Sequence, residues 1–362
     1  MGRRPRILIV GAGIAGAATA WHLARRGAEV RLVDAASSPD SHASGRNAAI
    51  LRSAIPRPRL HALAAESAAF YREPTPGFVA GPLVDRPGLV LAARRGGEDA
   101  ALEAWLSDPA CSHAPEPVRA AELQALHPFA VVDDLAAWRI PGDGVIDVSA
   151  LHQAFLHGAL DEGARLELRR RATEPLVEGG SLRGLRLDDG REEGADAVVL
   201  ATGAWGDEIL RPLGLERGLV PRRRHLFVTA RHQAVQPDAP VLWVVGEQEY
   251  YLRPESGGLL LSVCDSEVVP PAEGEMLDRH VRERAGELVL ERLPGLADTM
   301  LRHGWSGMRT FAADGDFLLG PDPELPGLHW AAGLGGHGIS TAYAVGRTVA
   351  EGVLAPAAAP AG

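Results

Sequence analysis

The chain opens on an unbroken apolar run, Ile7-Leu-Ile-Val10, which predicts a strand buried on both faces rather than a half-exposed one. An alanine-rich amphipathic stretch to Arg26 predicts a helix, and Glu29-Val-Arg-Leu-Val-Asp34 a second strand. Further helices are predicted over 58–71, 99–106, 120–126 and 148–162, and another over 44–51. Leu166–Val177 reads as one strand, with Asp188-Asp-Gly190 turning the hairpin that follows. Ala195–Leu200 reads as a buried strand that extends the first sheet. The stretches 219–230, 241–253 and 259–263 alternate, which predicts an antiparallel sheet with its turn at Pro254–Gly258. A helix over 272–293 is expected to cover that sheet through Leu277, Val281 and Leu288. A last strand at 328–332, a glycine loop and a helix over 339–353 precede a tail, 355–362, read as disordered.

The first turn carries chemistry. In Gly11-Ala-Gly13-Ile14-Ala15-Gly16, the first glycine permits a tight turn. The second lets backbone approach a pyrophosphate, and the third lets helix and strand pack closely. The helix N-terminus then faces phosphate with its partial positive charge. Asp34 follows about 20 residues later, where a carboxylate accepts hydrogen bonds from an adenosine ribose. Strand, glycine turn, helix, strand and acid form one half of a dinucleotide fold, without choosing between FAD and NAD.

Similar elements return along the chain. Ser44-Gly45-Arg46-Asn47-Ala48 suits close passage beneath a flat or phosphorylated ligand, or is an ordinary capped helix. Ala201-Thr202-Gly203-Ala-Trp205 ends a strand in a glycine turn, and Gly335-Gly336-His337-Gly338-Ile339 opens a helix. This interleaving favours FAD, whose long body is gripped by several returning segments. The expected fold is a discontinuous α/β, Rossmann-like FAD-binding domain with a parallel sheet, formed by 1–77, 146–215 and 306–354. An interleaved α+β substrate domain, on a mainly antiparallel sheet, takes 78–145 and 216–305.

Composition narrows the options. The net charge of -10 argues against a nucleic-acid partner. No apolar run reaches the length of a membrane span, and residue 6 already belongs to the cofactor strand, so a cytoplasmic protein is expected. Cys111 and Cys264 are isolated, which indicates neither a disulfide framework nor a cysteine metal site. All 37 Lys-or-Arg residues are arginines. That absence of lysine excludes a pyridoxal-phosphate Schiff base, a Walker A lysine and a lysine nucleophile.

Gly11–Asp34, Ser44-Gly-Arg-Asn-Ala-Ala, Ala201-Thr-Gly-Ala-Trp, Tyr251-Leu-Arg-Pro, Trp305-Ser-Gly-Met-Arg309-Thr-Phe and Gly335-Gly-His-Gly-Ile occur in this order. Together they resemble the FAD-dependent D-amino acid oxidase superfamily, nearest to bacterial D-amino acid dehydrogenases of the D-arginine dehydrogenase type. The resemblance covers nearly the whole chain and is loosest over 90–145. It implies oxidation of an amine next to a carboxylate by hydride transfer to flavin N5, giving an imino acid that hydrolyses. Cofactor contacts are implied for Gly11, Gly13, Ile14, Ala15, Gly16, Asp34, Ser44, Gly45, Arg46, Asn47, Ala48, Ala172, Thr202, Gly203, Trp205 and Gly335–Ile339. Non-covalent FAD is expected, since Gly307-Met-Arg-Thr-Phe lacks the cysteine by which sarcosine oxidase relatives attach theirs.

An arginine among apolar and small residues, as Arg309 is, serves either a structural ion pair or an anion site; the resemblance points to a bidentate grip on substrate carboxylate. Tyr251 is expected to add a hydroxyl donor, with Tyr250 as its rival, because alternation sends only one of them inward. His337 either touches substrate, modulates flavin reoxidation or is structural. The 335–338 loop feeds a helix N-terminus that stabilises negative charge on the flavin. Positioning then carries the reaction without a strong protein base.

The side-chain pocket is expected from Ala48–Ile55, Phe78–Gly81 and Trp243. Its apolar Ile50, Ile55 and Ala80, with the charge of Arg52, predict poor turnover of cationic D-amino acids unless Glu247 or Glu249 points inward. The electron acceptor, a quinone, a carrier or O2, is not legible, although the absence of lysine leans toward a dehydrogenase. Alternatives are an oxidase of secondary amino acids such as sarcosine or proline, an NAD-linked dehydrogenase, and a catalytically idle FAD subunit.

Overall fold

A computed structural model describes residues 3–85, 88–108 and 114–355. Its first sheet has six strands in the spatial order Leu318–Pro321, Leu328–Ala332, Ala197–Leu200, Arg6–Val10, Glu29–Asp34 and Arg165–Leu168. All neighbours run parallel except the first pair. The unbroken apolar run of the first strand has a direct cause. Ile7 and Ile9 enter a core with the helices Ile14–Arg25, Val148–Asp161 and Gly338–Leu354, whereas Leu8 and Val10 pack on the opposite side. That opposite side includes Leu182, Leu185 and Leu187 of a three-stranded antiparallel layer, Ala172–Glu178, Ser181–Leu187 and Glu192–Gly194. With water removed from both faces, alternation has no role.

The second large sheet has nine strands, centred on Val220–Thr229, Gly258–Ser262, Tyr250–Glu255, Val241–Val245 and Leu89–Arg94. It is antiparallel apart from Val241–Val245 against Leu89–Arg94. The long strand Leu301–Phe311 pairs along Val220–Thr229 and runs across residue 306, where the sequence suggests a domain boundary. One face is covered by the helix Arg279–Arg292 through Val281, Ala285 and Val289. The other carries Leu226, Trp243 and Tyr251 into a separate core with Ala54, Leu102 and Leu106. A small sheet of Ile50–Leu51, Gly144–Ile146 and Val84–Asp85 completes the fold.

Four expectations are corrected. Ser44–Leu51 is not a helix: Asn47 donates its amide to the Ser44 carbonyl at 2.6 Å and accepts from the Ala49 N–H at 2.6 Å, so local bonds replace the helical ladder. Leu166–Val177 is two strands in different sheets, split where Arg169 takes a positive φ of 55°. Residues 241–253 likewise form two strands of a hairpin, which turns through Gly246 at φ 124°. The helix predicted from 272 begins at Arg279, because Asp278 caps the His280 N–H at 2.8 Å and prolines stand upstream. Leu277 therefore precedes the helix and is 52% exposed. Cys111 and the tail 356–362 lie outside the described residues.

Candidate active site

The cofactor end is built at the C-terminal edge of the parallel sheet. Gly11 turns at φ 97°, a conformation side chains rarely adopt, and a Cβ there would lie 2.4 Å from the Ala201 carbonyl oxygen. A Cβ on Gly16 would lie 1.8 Å from the Gly11 oxygen, so helix and turn meet only through glycine. The Asp34 carboxylate accepts from the Ala12 N–H at 2.7 Å and the Ala36 N–H at 2.8 Å, which pins the turn to the end of the second strand. The Ser44 hydroxyl accepts from the Ile14 N–H at 2.9 Å, fastening the 41–49 loop to the first helix.

An open cleft of about 1560 Å³ is lined by Gly11, Asp34, Ala172, Thr202, Gly203 and Trp205. It continues, past shared walls at Gly13, Ser44, Gly203, Met308 and Thr310, into a second cavity. The Thr202 hydroxyl is buried without a partner. A long continuous slot, a glycine turn whose backbone lines it, and an orphaned hydroxyl fit an extended dinucleotide.

The second cavity ends on the antiparallel sheet, at Arg224, Trp243, Tyr251 and Arg309. Tyr251 lies opposite Ser262 and shares a face with Leu226 and Trp243, its ring 4.7 Å from the indole. Tyr250 turns to the other face and packs in the core beneath the helix 279–292, as the two-residue period of a strand requires. Arg309 runs against the 335–338 loop: a Cβ on Gly336 would lie 2.6 Å from its Nε. Burial and the neighbouring Arg224 hold the Arg309 guanidinium below its ordinary value, though it stays charged.

Arg52 is 8% exposed, donates its Nε hydrogen to the Ala54 carbonyl at 3.0 Å, and stacks on Trp243. Behind it, buried Asp143 accepts from the Ser53 N–H at 2.8 Å and from its hydroxyl; burial pushes this carboxyl up to about 6. Glu249 points inward and accepts from the Trp243 Nε1 hydrogen at 2.7 Å. His337 is pushed down to about 3 by burial and by Arg52 and Arg309, so its ring is neutral at pH 7. Burial pushes the Cys264 thiol up to about 12, which keeps it protonated.

Most residues expected around the cofactor line the two cavities: Gly13, Ile14, Ala15, Ser44, Arg46, Asn47, Ala48, Gly203, Gly335, Gly336, Gly338 and Ile339 line the second, with Tyr251 and Arg309. Gly16 and Gly45 act one step back, where a Cβ would strike the Gly11 and Asp40 carbonyls. Arg52 and His337 flank the cavity rather than forming its wall. The Phe78–Gly81 segment lines neither of these two cavities: Phe78 packs against Trp21, Phe70 and Phe155 in the helical layer behind the first sheet. Ile55 is buried in that same core. Arg224 was not legible as a site residue, although in the strand Arg222-Arg-Arg-His alternation does set Arg222 and Arg224 on one face.

These two linked cavities fit an extended dinucleotide at one end and carry two arginines, Arg224 and Arg309, at the other. Residues 6–352 match the family described as FAD dependent oxidoreductase, and the chain belongs to that family. FAD is therefore its cofactor, and the NAD-linked alternative is set aside. The glycine oxidase of Pseudomonas aeruginosa is 29% identical over 364 residues, covering 96% of this chain and 94% of that protein. The crystal structure of iminodiacetate oxidase from Chelativorans sp. BNC1 superposes with a TM-score of 0.80 at 26% identity, covering 98% and 97% of the two chains. L-proline dehydrogenase from P. horikoshii shares the fold, with a TM-score of 0.86 at 20% identity over 97% of this chain and 93% of that one. These names concern glycine, iminodiacetate and proline, not the D-arginine toward which the motifs lean. Among the described residues no helix is long and apolar enough to cross a membrane.

Proposed function

We propose that the protein oxidises the Cα–N bond of an amino acid whose carboxylate is gripped by Arg309 and Tyr251. The observation that carries this reading is a charged Arg309 that pairs with no described carboxylate and shares one cavity with the Tyr251 hydroxyl and the Gly335–Gly338 loop. A guanidinium fork binds a carboxylate through two parallel hydrogen bonds, and the phenol adds a third donor. Fixing the carboxylate in this way orients the neighbouring α-hydrogen into the cavity.

Bound FAD supplies the two-electron acceptor for the hydride that leaves the α-carbon. The amine loses a proton to water, and the resulting imino acid hydrolyses to a 2-oxo acid and ammonia. No strong base is required of the chain, which agrees with the neutral imidazole of His337 and the protonated thiol of Cys264. The helix beginning at Gly338 directs its positive end at the cavity and stabilises negative charge there.

The D configuration of the substrate belongs to this reading, as does an electron acceptor other than O2, since the chain has no lysine to place beside the flavin. A secondary amine would be held by the same carboxylate grip, and the 26% identity to an iminodiacetate oxidase supports that variant. The test is a panel of D-, L- and N-substituted amino acids with a dye acceptor, scored for 2-oxo acid and ammonia, beside a peroxide assay. Turnover of a D-amino acid with dye and little peroxide is expected. Dye reduction by hydroxy acids alone would overturn the proposal.

A further inference from the structure

The substrate end of the cavity holds more positive charge than one carboxylate needs. Arg224 lies opposite Gly307 across the antiparallel ladder, two residues from Arg309 on the same strand. Directly opposed residues share a face, and so do residues two apart, so Arg224 and Arg309 project from one face as diagonal neighbours, roughly 7–8 Å apart at the backbone. Both line the same cavity.

Arg224 is only 6% exposed. Its Nε hydrogen goes to the Asp265 carbonyl at 2.6 Å, and its Nη1 is buried without a partner. Among the described residues neither Arg224, Arg309 nor Arg52 forms an ion pair. The carboxylates nearby are occupied: Asp265 takes the His225 N–H at 2.9 Å and the ring Nδ1 at 2.7 Å, while Glu249 takes the Trp243 indole. Glu249 and Asp265 favour its charge from a distance, but a buried guanidinium with an unpartnered Nη1 and no direct ion pair keeps donors that a ligand can complete. The charged groups facing Arg224 belong to the antiparallel sheet and its turns, Arg309, Glu249 and Asp265, rather than to the glycine turn that cradles pyrophosphate.

We infer that Arg224 is a second anion seat, and that the substrate is a dicarboxylic amine, its α-carboxylate on Arg309 and its second carboxylate on Arg224. This rests on the amino-acid reading above and adds the class of side chain. Arg224 here is a specificity residue: it holds the far end of the substrate and leaves the reacting carbon to Arg309 and Tyr251.

The test uses the FAD-loaded protein and two unreactive probes of equal chain length, succinate and butyrate, titrated by calorimetry, together with kcat/KM for both enantiomers of aspartate, glutamate, alanine and norvaline. Succinate is expected to bind at least about tenfold tighter than butyrate, as one charge-assisted bidentate pair provides. Arg224→Met should abolish that advantage, and Arg224→Lys should restore part of it. Equal binding of succinate and butyrate by the wild-type protein would overturn the inference whether or not the variant folds. Loss of FAD from a folded Arg224→Met would also overturn it, by showing that the guanidinium serves the cofactor. If succinate binds through Arg224 but no amino acid is turned over, the second seat stands and the amino-acid reading falls. If alanine and norvaline outrank the acidic amino acids and depend on Arg309 alone, the reading stands and the second seat falls.

Discussion

The guanidinium of Arg52 lies 4.4 Å from the centre of the Trp243 ring, and the same indole gives its Nε1 hydrogen to Glu249. One aromatic side chain thus clamps a cation on its face and an anion at its edge. The stacked pair is worth about 0.5–2 kcal/mol and fixes a positive charge beside the substrate end. Glu249 does point inward, the circumstance that would favour cationic substrates, but one of its oxygens is taken and three arginines surround it electrostatically.

D-arginine and D-lysine are therefore expected to rank at least about tenfold below neutral and acidic amino acids in kcat/KM, since a substrate cation would be stranded among like charges. The measurement is the dye-coupled panel at constant ionic strength. A cationic amino acid at the top would mean that Glu249 governs the pocket.

Replacing Arg309 with methionine keeps the stem and removes the fork. kcat/KM is expected to fall by about 10- to 150-fold or more, the equivalent of 1.5–3 kcal/mol, with flavin content unchanged. Tyr251→Phe removes one neutral donor and should cost about 2- to 10-fold. Wild-type kinetics in Arg309→Met would place the carboxylate grip elsewhere.

Asp34→Ala deletes the acceptor of two backbone N–H bonds, from Ala12 and Ala36, as well as the expected ribose contact. Flavin retention on gel filtration should drop, with FAD affinity weakened about tenfold or more, while far-UV circular dichroism is preserved. A variant that keeps a full complement of flavin would remove Asp34 from the cofactor site.

His127 offers a stability readout remote from the chemistry. Its ring is fully buried, neither nitrogen has a partner, and burial pushes it down to about 4. Below its ordinary value near 6.5 the unfolded chain takes up the proton and the folded one does not. Stability is thus whole above pH 6.5 and is lost as pH falls toward 4, by an amount of the order of 3 kcal/mol. His127→Leu should flatten that part of the curve in urea unfolding at pH 4.5, 5.5 and 7.5. The same slope in both proteins would show that the ring is hydrated in solution.

Local rules made one part of this protein legible from its residues. Gly11, Gly13, Gly16 and Asp34 announce a phosphate-binding turn because backbone sterics and the helix terminus act within a few residues. The apolar run Ile7–Val10 declares a doubly covered strand for a similarly local reason. Tertiary structure decided what periodicity leaves open. Whether Tyr250 or Tyr251 faces the cavity depends on strand register, and a one-residue slip reverses it. Phe78 was assigned to the pocket by the resemblance to arginine-accepting relatives, yet the rings of Trp21, Phe70 and Phe155 claim it. Arg224 reads as one charge among three in a row until pairing with Leu301–Phe311 sets it beside Arg309. Charges gain meaning from the counter-charges they lack, and that absence becomes visible only once the chain has buried them.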